Sequence, residues 1–288
     1  MKKLLLLLLI PILGAFTNTK PAYLLYDKEG KKITYEVMLK ELLEADVVFF
    51  GELHNNPIAH WLQYEMTKDA FAVKEDKLIL GAEMFEADNQ MILTEYLMNL
   101  LKESVFMEDC KLWPNYKTDY RPLVEFAKDN YISFIATNIP RRYASMINHG
   151  DFESLNCLTD EARCYIAPLP ITYDPELPCY KKMEGMMGGM KPGAPVMHIA
   201  KAQAAKDATM AHFISKNLRK DGFFLHFNGA YHSDYHEGIV WYLKKAKPEL
   251  KIKVITTIEL DNIENIPSEQ LKKADYILAV PSSMTKTY

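Results

Sequence analysis

The run Gly51-Glu52-Leu53-His54-Asn55-Asn56-Pro57 follows the apolar residues Val47-Val48-Phe49-Phe50, which sets a carboxylate and an imidazole at the end of a buried-looking strand. Side chains alternate along extended backbone, so Glu52 and His54, two residues apart, can point the same way. A carboxylate beside an imidazole suits either a transition-metal ion or a general base with its orienting partner. The spacing is not His-Glu-x-x-His, so no zincin is implied. Three further apolar runs end in polar residues: Glu83-Met84-Phe85, Thr137-Asn138, and Asn228-Gly229-Ala230-Tyr231-His232. Ligands of open α/β sheets bind beyond the carboxyl ends of the strands, and four polar strand ends predict one shared crevice. Glu52, His54, Glu83 and His232 are therefore the candidate catalytic residues, and the same four are the candidate ligands of a divalent metal.

Plainer roles compete with these. His54 can serve as turn chemistry, as polar groups at strand ends often do. Glu83, flanked by apolar residues, is harder to explain that way, because a buried carboxylate needs a partner. His232 and His236 lie four apart and share one face if a helix over 235–246 begins early. Arg141 and Arg142 follow Pro140 at a helix start, where they oppose the helix dipole unless they hold a propionate, a phosphate or an internal Glu. His198, His212 and His226 read as packing or surface residues, and His149 beside Gly150 as a helix C-terminal residue.

The elements that position these residues are legible as β-branched and aromatic runs at 46–50, 78–82, 132–136, 223–227, 252–257 and 276–280. Amphipathic stretches at 57–70, 88–101, 120–129, 140–148, 199–219 and 235–246 alternate with them. The expected fold class is α/β, a mostly parallel sheet flanked by helices. The segment 150–198 breaks the pattern with Pro168, Pro170, Pro175, Pro178, Pro192 and Pro195 and the run MEGMMGGM at 183–190. It reads as a smaller helical or irregular insertion. Its Met-rich run is either an adaptable apolar cover for a flat ligand or an ordinary loop.

Residues 1–22 begin MKKLLLLLLIPILGAF, two lysines ahead of an apolar run too short to span a bilayer comfortably, and read as a signal peptide with residues 23–288 as the mature domain. The first cysteine is Cys110, so no lipobox thiol follows the leader, and an exported, periplasmic or outer-membrane-associated protein is expected. A net charge of -4 and a pI near 6.1 supply no basic stripe, which argues against nucleic acid as a partner. Cys110, Cys157, Cys164 and Cys179 allow three pairings or inert thiols, and their spacing lacks the close pairs of zinc sites.

Taken in order, GELHNNPIAHWLQ at 51–63, GAEMFEADNQ at 81–90, WPNYKTDYRPLVEFA at 113–127, ATNIPRR at 136–142, AQAAKDATMAHFI at 202–214 and FNGAYHSDYHEGI at 227–239 resemble the ChaN-like family of haem-binding, iron-regulated proteins. That family is related in turn to the Tiki and erythromycin esterase-like superfamily. The resemblance implies haem as cofactor, a homodimer able to hold two haems face to face, a tyrosine on the iron, a histidine from the partner chain near a propionate, and association with a membrane haem-uptake system. Candidate haem-binding residues are then Tyr116, Tyr120, Tyr173, Tyr180, Tyr231, Arg141, Arg142 and His236. Phenolate ligation suits ferric haem. The alternative is a metal-dependent hydrolase acting on an ester or amide through the Glu/His set at the strand ends.

Overall fold

A computed structural model of the chain describes residues 20–187 and 197–288. The leader expected at 1–22 falls almost wholly outside the described residues, as does the end of the Met-rich run. Eight strands form one sheet: β1 (Leu24–Asp27), β2 (Lys32–Ile33), β3 (Val47–Glu52), β4 (Leu78–Glu86), β5 (Ser133–Asn138), β6 (Phe223–Gly229), β7 (Ile252–Leu260) and β8 (Tyr276–Pro281). Their order is β2-β1-β8-β7-β3-β6-β4-β5. From β8 to β5 every pairing is parallel, and the β1–β2 hairpin joins antiparallel to β8. The sheet is α/β and mostly parallel, as the strand runs predict. The hairpin is an addition that the sequence reading did not contain.

Helices α1 (Tyr35–Leu42), α2 (Pro57–Lys74), α3 (Gln90–Leu97), α4 (Glu103–Asp109), α5 (Arg121–Asp129), α6 (Arg141–Gly150), α7 (Asp160–Arg163), α8 (Pro178–Met187), α9 (Ile199–Asn217), α10 (Ile239–Ala246) and α11 (Ser268–Leu271) accompany the sheet. Two apolar layers cover its faces. One contains Val48, Phe50, Leu80 and Leu225 with α2 and α5, and the other contains Val47, Phe49, Ile79 and Phe224 with α6, α9 and α10. All residues of β3, β4 and β6 are buried, which is why these strands read as continuous rather than alternating apolar runs.

Central strand β3 lies between β7 and β6, and the chain reaches β4 and β5 on one side of it before returning to β7 and β8 on the other. A reversal of this kind opens a crevice at the carboxyl ends of the strands. The strands also run further than their apolar stretches: β3 includes Glu52, β4 includes Glu83 and Glu86, and β6 includes Gly229. Ladder pairing continues past the apolar residues and delivers polar side chains from rigid backbone rather than from loops.

The turn after β3 is divided between two tasks. Asn56 accepts hydrogen bonds from the backbone N–H groups of Ile58 and Ala59, both 3.1 Å, and Pro57 occupies the first turn, so α2 starts on a capped end. Glu52 and His54 are left for other work. Replacing Asn56 by Ala is expected to destabilise the fold by about 1–2 kcal/mol, measured as a lowered midpoint in urea with an unchanged slope.

Candidate functional site

Glu52 at the end of β3 is 1 % exposed and is surrounded by donors. His54 Nδ1 lies 2.8 Å from one carboxylate oxygen, which also accepts from the Tyr120 hydroxyl at 2.7 Å; Gln63 Nε2 donates to the other at 2.6 Å. His60 on the first turn of α2 stands 3.6 Å from that second oxygen, and its Nε2 reaches the His54 carbonyl at 3.0 Å. Asn115 donates to the same carbonyl at 3.0 Å, fixing the loop that carries the imidazole. Burial alone would raise the Glu52 carboxyl, but the hydrogen bond from His54 and the charges of His60 and His54 outweigh it and the net shift is downward. Burial opposes charge on His54, yet its bond to Glu52 and the nearby Glu83 raise its pKa overall.

A second set faces the first. Glu83 in β4 accepts from the Gly229 backbone N–H at 2.7 Å, and its other oxygen lies 3.1 Å from His232 Nε2. His232 Nδ1 bonds Asp207 of α9, whose second oxygen accepts from Tyr180 of α8 at 2.7 Å. Burial disfavours a charged His232, but Glu83 and Asp207 overcome it and push the pKa up to about 10. One imidazolium cannot neutralise two carboxylates. Glu83, further helped by His54 and Gly229, falls below the usual range, while enclosed Asp207 is pushed up chiefly by its own burial.

Gly229 holds the two sets together. A Cβ on it would lie 2.7 Å from His54 Nε2 and 3.4 Å from a Glu83 oxygen, so only glycine lets the His54 ring rest on the end of β6 beside Glu83. Glu52, His54, Glu83 and His232 thus converge on one crevice of about 960 Å³. Leu112, Trp113, Pro114, Ile139 and Met183 form its apolar wall, and Arg141, Lys206 and Tyr288 stand in its lining. Trp113 packs edge-on against the His54 ring at 4.8 Å.

The other sequence candidates are placed differently. Tyr116, Tyr120 and Tyr180 are buried, the first without a hydrogen-bond partner and the others committed to Glu52 and Asp207. The Tyr173 hydroxyl donates to Glu184 at 2.7 Å, and Tyr231, although it lines the crevice, donates to the Cys179 carbonyl at 2.5 Å. Arg141 pairs with Glu86 at the crevice edge, and Arg142 pairs with Asp88. These internal Glu and Asp partners relieve the conflict with the α6 dipole. His236 does not share a face with His232, which corrects the expectation of an early helix: Tyr235 and His236 both take positive φ, α10 begins only at Ile239, and the His236 ring bonds Asp275 at 3.0 Å. The four cysteines are free, with Cys110 and Cys179 buried and Cys157 and Cys164 exposed.

Among the described residues, no three His, Cys, Asp or Glu side chains are arranged to hold a metal ion. The reason at His232 is direct, since both ring nitrogens face carboxylates. Gln203 and Asp207, both on α9, escaped the sequence reading, and Tyr180, expected as a haem residue, instead donates to Asp207. Their signal was an acid and an amide within AQAAKDATMAHFI, a helix whose many buried residues leave little room for an unpartnered charge.

A family model described as haem-binding uptake, Tiki superfamily, ChaN matches residues 38–243. The chain belongs to this family. The fold is similar to the ChaN of Campylobacter jejuni described by its cofacial heme binding, at 19% identity over 90% of this chain and 97% of that one, with a TM-score of 0.65. It is also similar to erythromycin esterase EreC, an H289N mutant in its open conformation, at 10% identity over 90% of this chain and 97% of that one, with a TM-score of 0.52. At these identities the two structures bear on the fold alone. No curated protein matches the chain in sequence.

The charge on His232 predicts a pH dependence. A pKa raised from 6.5 to about 10 gives a stabilisation that is fully present below pH 6.5 and is lost as pH rises through about 10. Denaturant titrations between these limits should show stability falling by a few kcal/mol, and His232→Gln should flatten that fall while lowering stability near neutrality.

Proposed function

We propose that this member of the ChaN family binds haem and takes part in haem and iron uptake. The observation that carries the reading is the composition of the crevice. Apolar Trp113, Ile139 and Met183 and cationic Arg141 and Lys206 line one space at the upper end of the ~300–1,000 Å³ typical of small-molecule sites. A flat macrocycle with two propionates asks for that combination. The residues fit the group: Leu112, Trp113, Pro114 and Met183 would cover its apolar face, and Arg141 and Lys206 would meet its carboxylates. When bound, haem would supply a redox-active iron.

The finer parts of the proposal have separate supports. The lysine-led apolar leader supports export to a periplasmic or outer-membrane location and delivery to a membrane uptake system. The cofacial haem arrangement described for the C. jejuni protein supports a homodimer with haem at its interface. Titrating purified protein with hemin tests the central claim. A shifted Soret band saturating at micromolar concentration or below is expected, and free-hemin spectra throughout would overturn it. Removing both cations, Arg141→Ala with Lys206→Ala, should weaken binding by about tenfold or more, since charge-assisted hydrogen bonds are worth roughly 1.5–3 kcal/mol.

A second reading, hydrolysis of an ester or amide, is favoured by the Glu52–His54 pair. Glu52 fixes the imidazole through Nδ1, which leaves Nε2 in the crevice as a general base, and His232 supplies a fixed positive charge nearby. If a chromogenic ester is turned over, His54→Ala should slow it by roughly 10²–10⁴-fold. Metal analysis of untreated protein tests whether the reaction uses a divalent ion, and an inert wild-type protein on a broad ester and amide panel removes this reading.

A further inference from the structure

Beside the crevice lies a smaller cavity of about 160 Å³, between α8 and the start of α9. It falls below the ~300–1,000 Å³ of organic-ligand sites, so an ion suits it better than an organic molecule. Met183 of α8 and Met197 and His198 at the entry to α9 stand in its wall. The charged residues of the same wall are committed: Lys201 pairs with Asp151, and Glu184 accepts the Tyr173 hydroxyl at 2.7 Å. The two thioethers and the His198 ring make no hydrogen bond among the described residues, which leaves them as the donors free to meet an occupant.

His198 is the best fixed of the three. Its backbone N–H donates to the Asn148 carbonyl of α6 at 2.9 Å, and its Nδ1 stands 3.8 Å from Asp151. A ligating imidazole usually turns one nitrogen to a carboxylate and offers the other to the metal. With Nδ1 towards Asp151, Nε2 is the nitrogen on offer. Methionine has three rotatable bonds and a polarizable sulfur, so Met183 and Met197 can bring their sulfurs to one point without backbone movement.

We infer that Met183, Met197 and His198 form a binding site for a soft monovalent cation, of which Cu(I) is the biological example. Thioether and imidazole donors select soft metals, whereas Ca²⁺ and Mg²⁺ ask for oxygen ligands and zinc sites are built from thiolate, imidazole and carboxylate. Charge points the same way. The site adds no free carboxylate, since Asp151 is balanced by Lys201, and the N-terminus of α9 presents the positive end of its dipole. A second unit of positive charge would therefore be opposed, and a monovalent ion is the one that fits. Binding is coordination alone, with no electron transferred, and it does not depend on the haem reading.

Exposed Cys157 and Cys164 would take soft ions themselves, so every arm of the test uses the full chain carrying Cys157→Ser and Cys164→Ser. Protein labelled at its methionine methyl carbons is titrated with Ag(I), a redox-inert stand-in, and followed by NMR. Two methyl resonances should shift and saturate at one ion per chain, and Met183→Leu and Met197→Leu should each delete one of them. Cu(I) is then competed anaerobically against bathocuproine disulfonate. Met197→Leu and His198→Ala should each weaken Cu(I) binding at least as much as the roughly 10–100-fold that loss of a supporting outer partner costs, while equimolar Zn(II) leaves Cu(I) in place. Leucine conserves the volume of methionine, so the thermal midpoint of Met197→Leu should hold and a lost site is not a lost fold. Ag(I) shifts confined to other methionines, or Cu(I) affinity unchanged by both substitutions, overturn the site. Hemin titrations of Met197→Leu and His198→Ala should match the parent protein, so failure of the copper site and failure of the haem reading are read separately.

Discussion

Burying Glu52, Glu83 and His232 at the ends of three strands, with Asp207 on α9 beside them, is tolerable only because each charge meets a partner within hydrogen-bonding distance. Desolvation of one isolated ion would cost several kcal/mol, comparable to much of a domain's net stability. The His232 imidazolium between Glu83 and Asp207 is the central interaction. It ties β4 to α9, and through Tyr180 it ties α8 to both. Removing either carboxylate leaves the other elements facing an unbalanced charge. The crevice floor is therefore a structural bond between distant segments as well as a chemical surface.

The sheet sets what that bond can do. Glu52, Glu83 and Gly229 sit on parallel strands whose spacing is fixed by the ladder, so the two imidazole–carboxylate sets are held at the distance set by β3, β6 and β4. Gly51 serves the same geometry from behind, since a Cβ there would come within 2.9 Å of the Ala230 backbone. Small residues at the crossings let the strand ends close in, and the charged side chains fill the space that results.

Most of this architecture is readable in the sequence because buried parallel strands leave long apolar runs and polar residues at their ends stand out against them. Glu52, His54, Glu83 and His232 were visible for that reason. Asp207 was not, since a single acid in a helix normally reads as a solvated position, and only the burial of nearly every neighbouring turn of α9 shows otherwise. His236 misled for a local reason: the four-residue spacing from His232 has meaning only on a helix, and left-handed backbone at Tyr235 and His236 interrupts it. The β1–β2 hairpin escaped because two short strands carry too little periodicity to register. Tyr288 escaped because no motif surrounds it, and its place depends on contacts made by Thr287 and Lys286 to residues far away in sequence.

Floor and mouth of the crevice differ in how free their side chains are to respond to a ligand. On the floor, hydrogen bonds already saturate Glu52, Glu83, Asp207 and His232, so a ligand gains little from them without breaking a buried pair. At the mouth, Lys206 makes no ion pair among the described residues, Arg141 is 63% exposed beyond its bond to Glu86, and Tyr288 has an uncommitted hydroxyl. Cations and a phenol around an apolar wall form a surface for a large, flat, anionic molecule, whereas the floor offers one open imidazole nitrogen suited to a small reacting group. The two proposed activities therefore draw on different residues of one cavity. A bulky ligand lying across the mouth would close the floor from solvent, so the two proposed activities would compete by steric exclusion rather than by sharing a side chain.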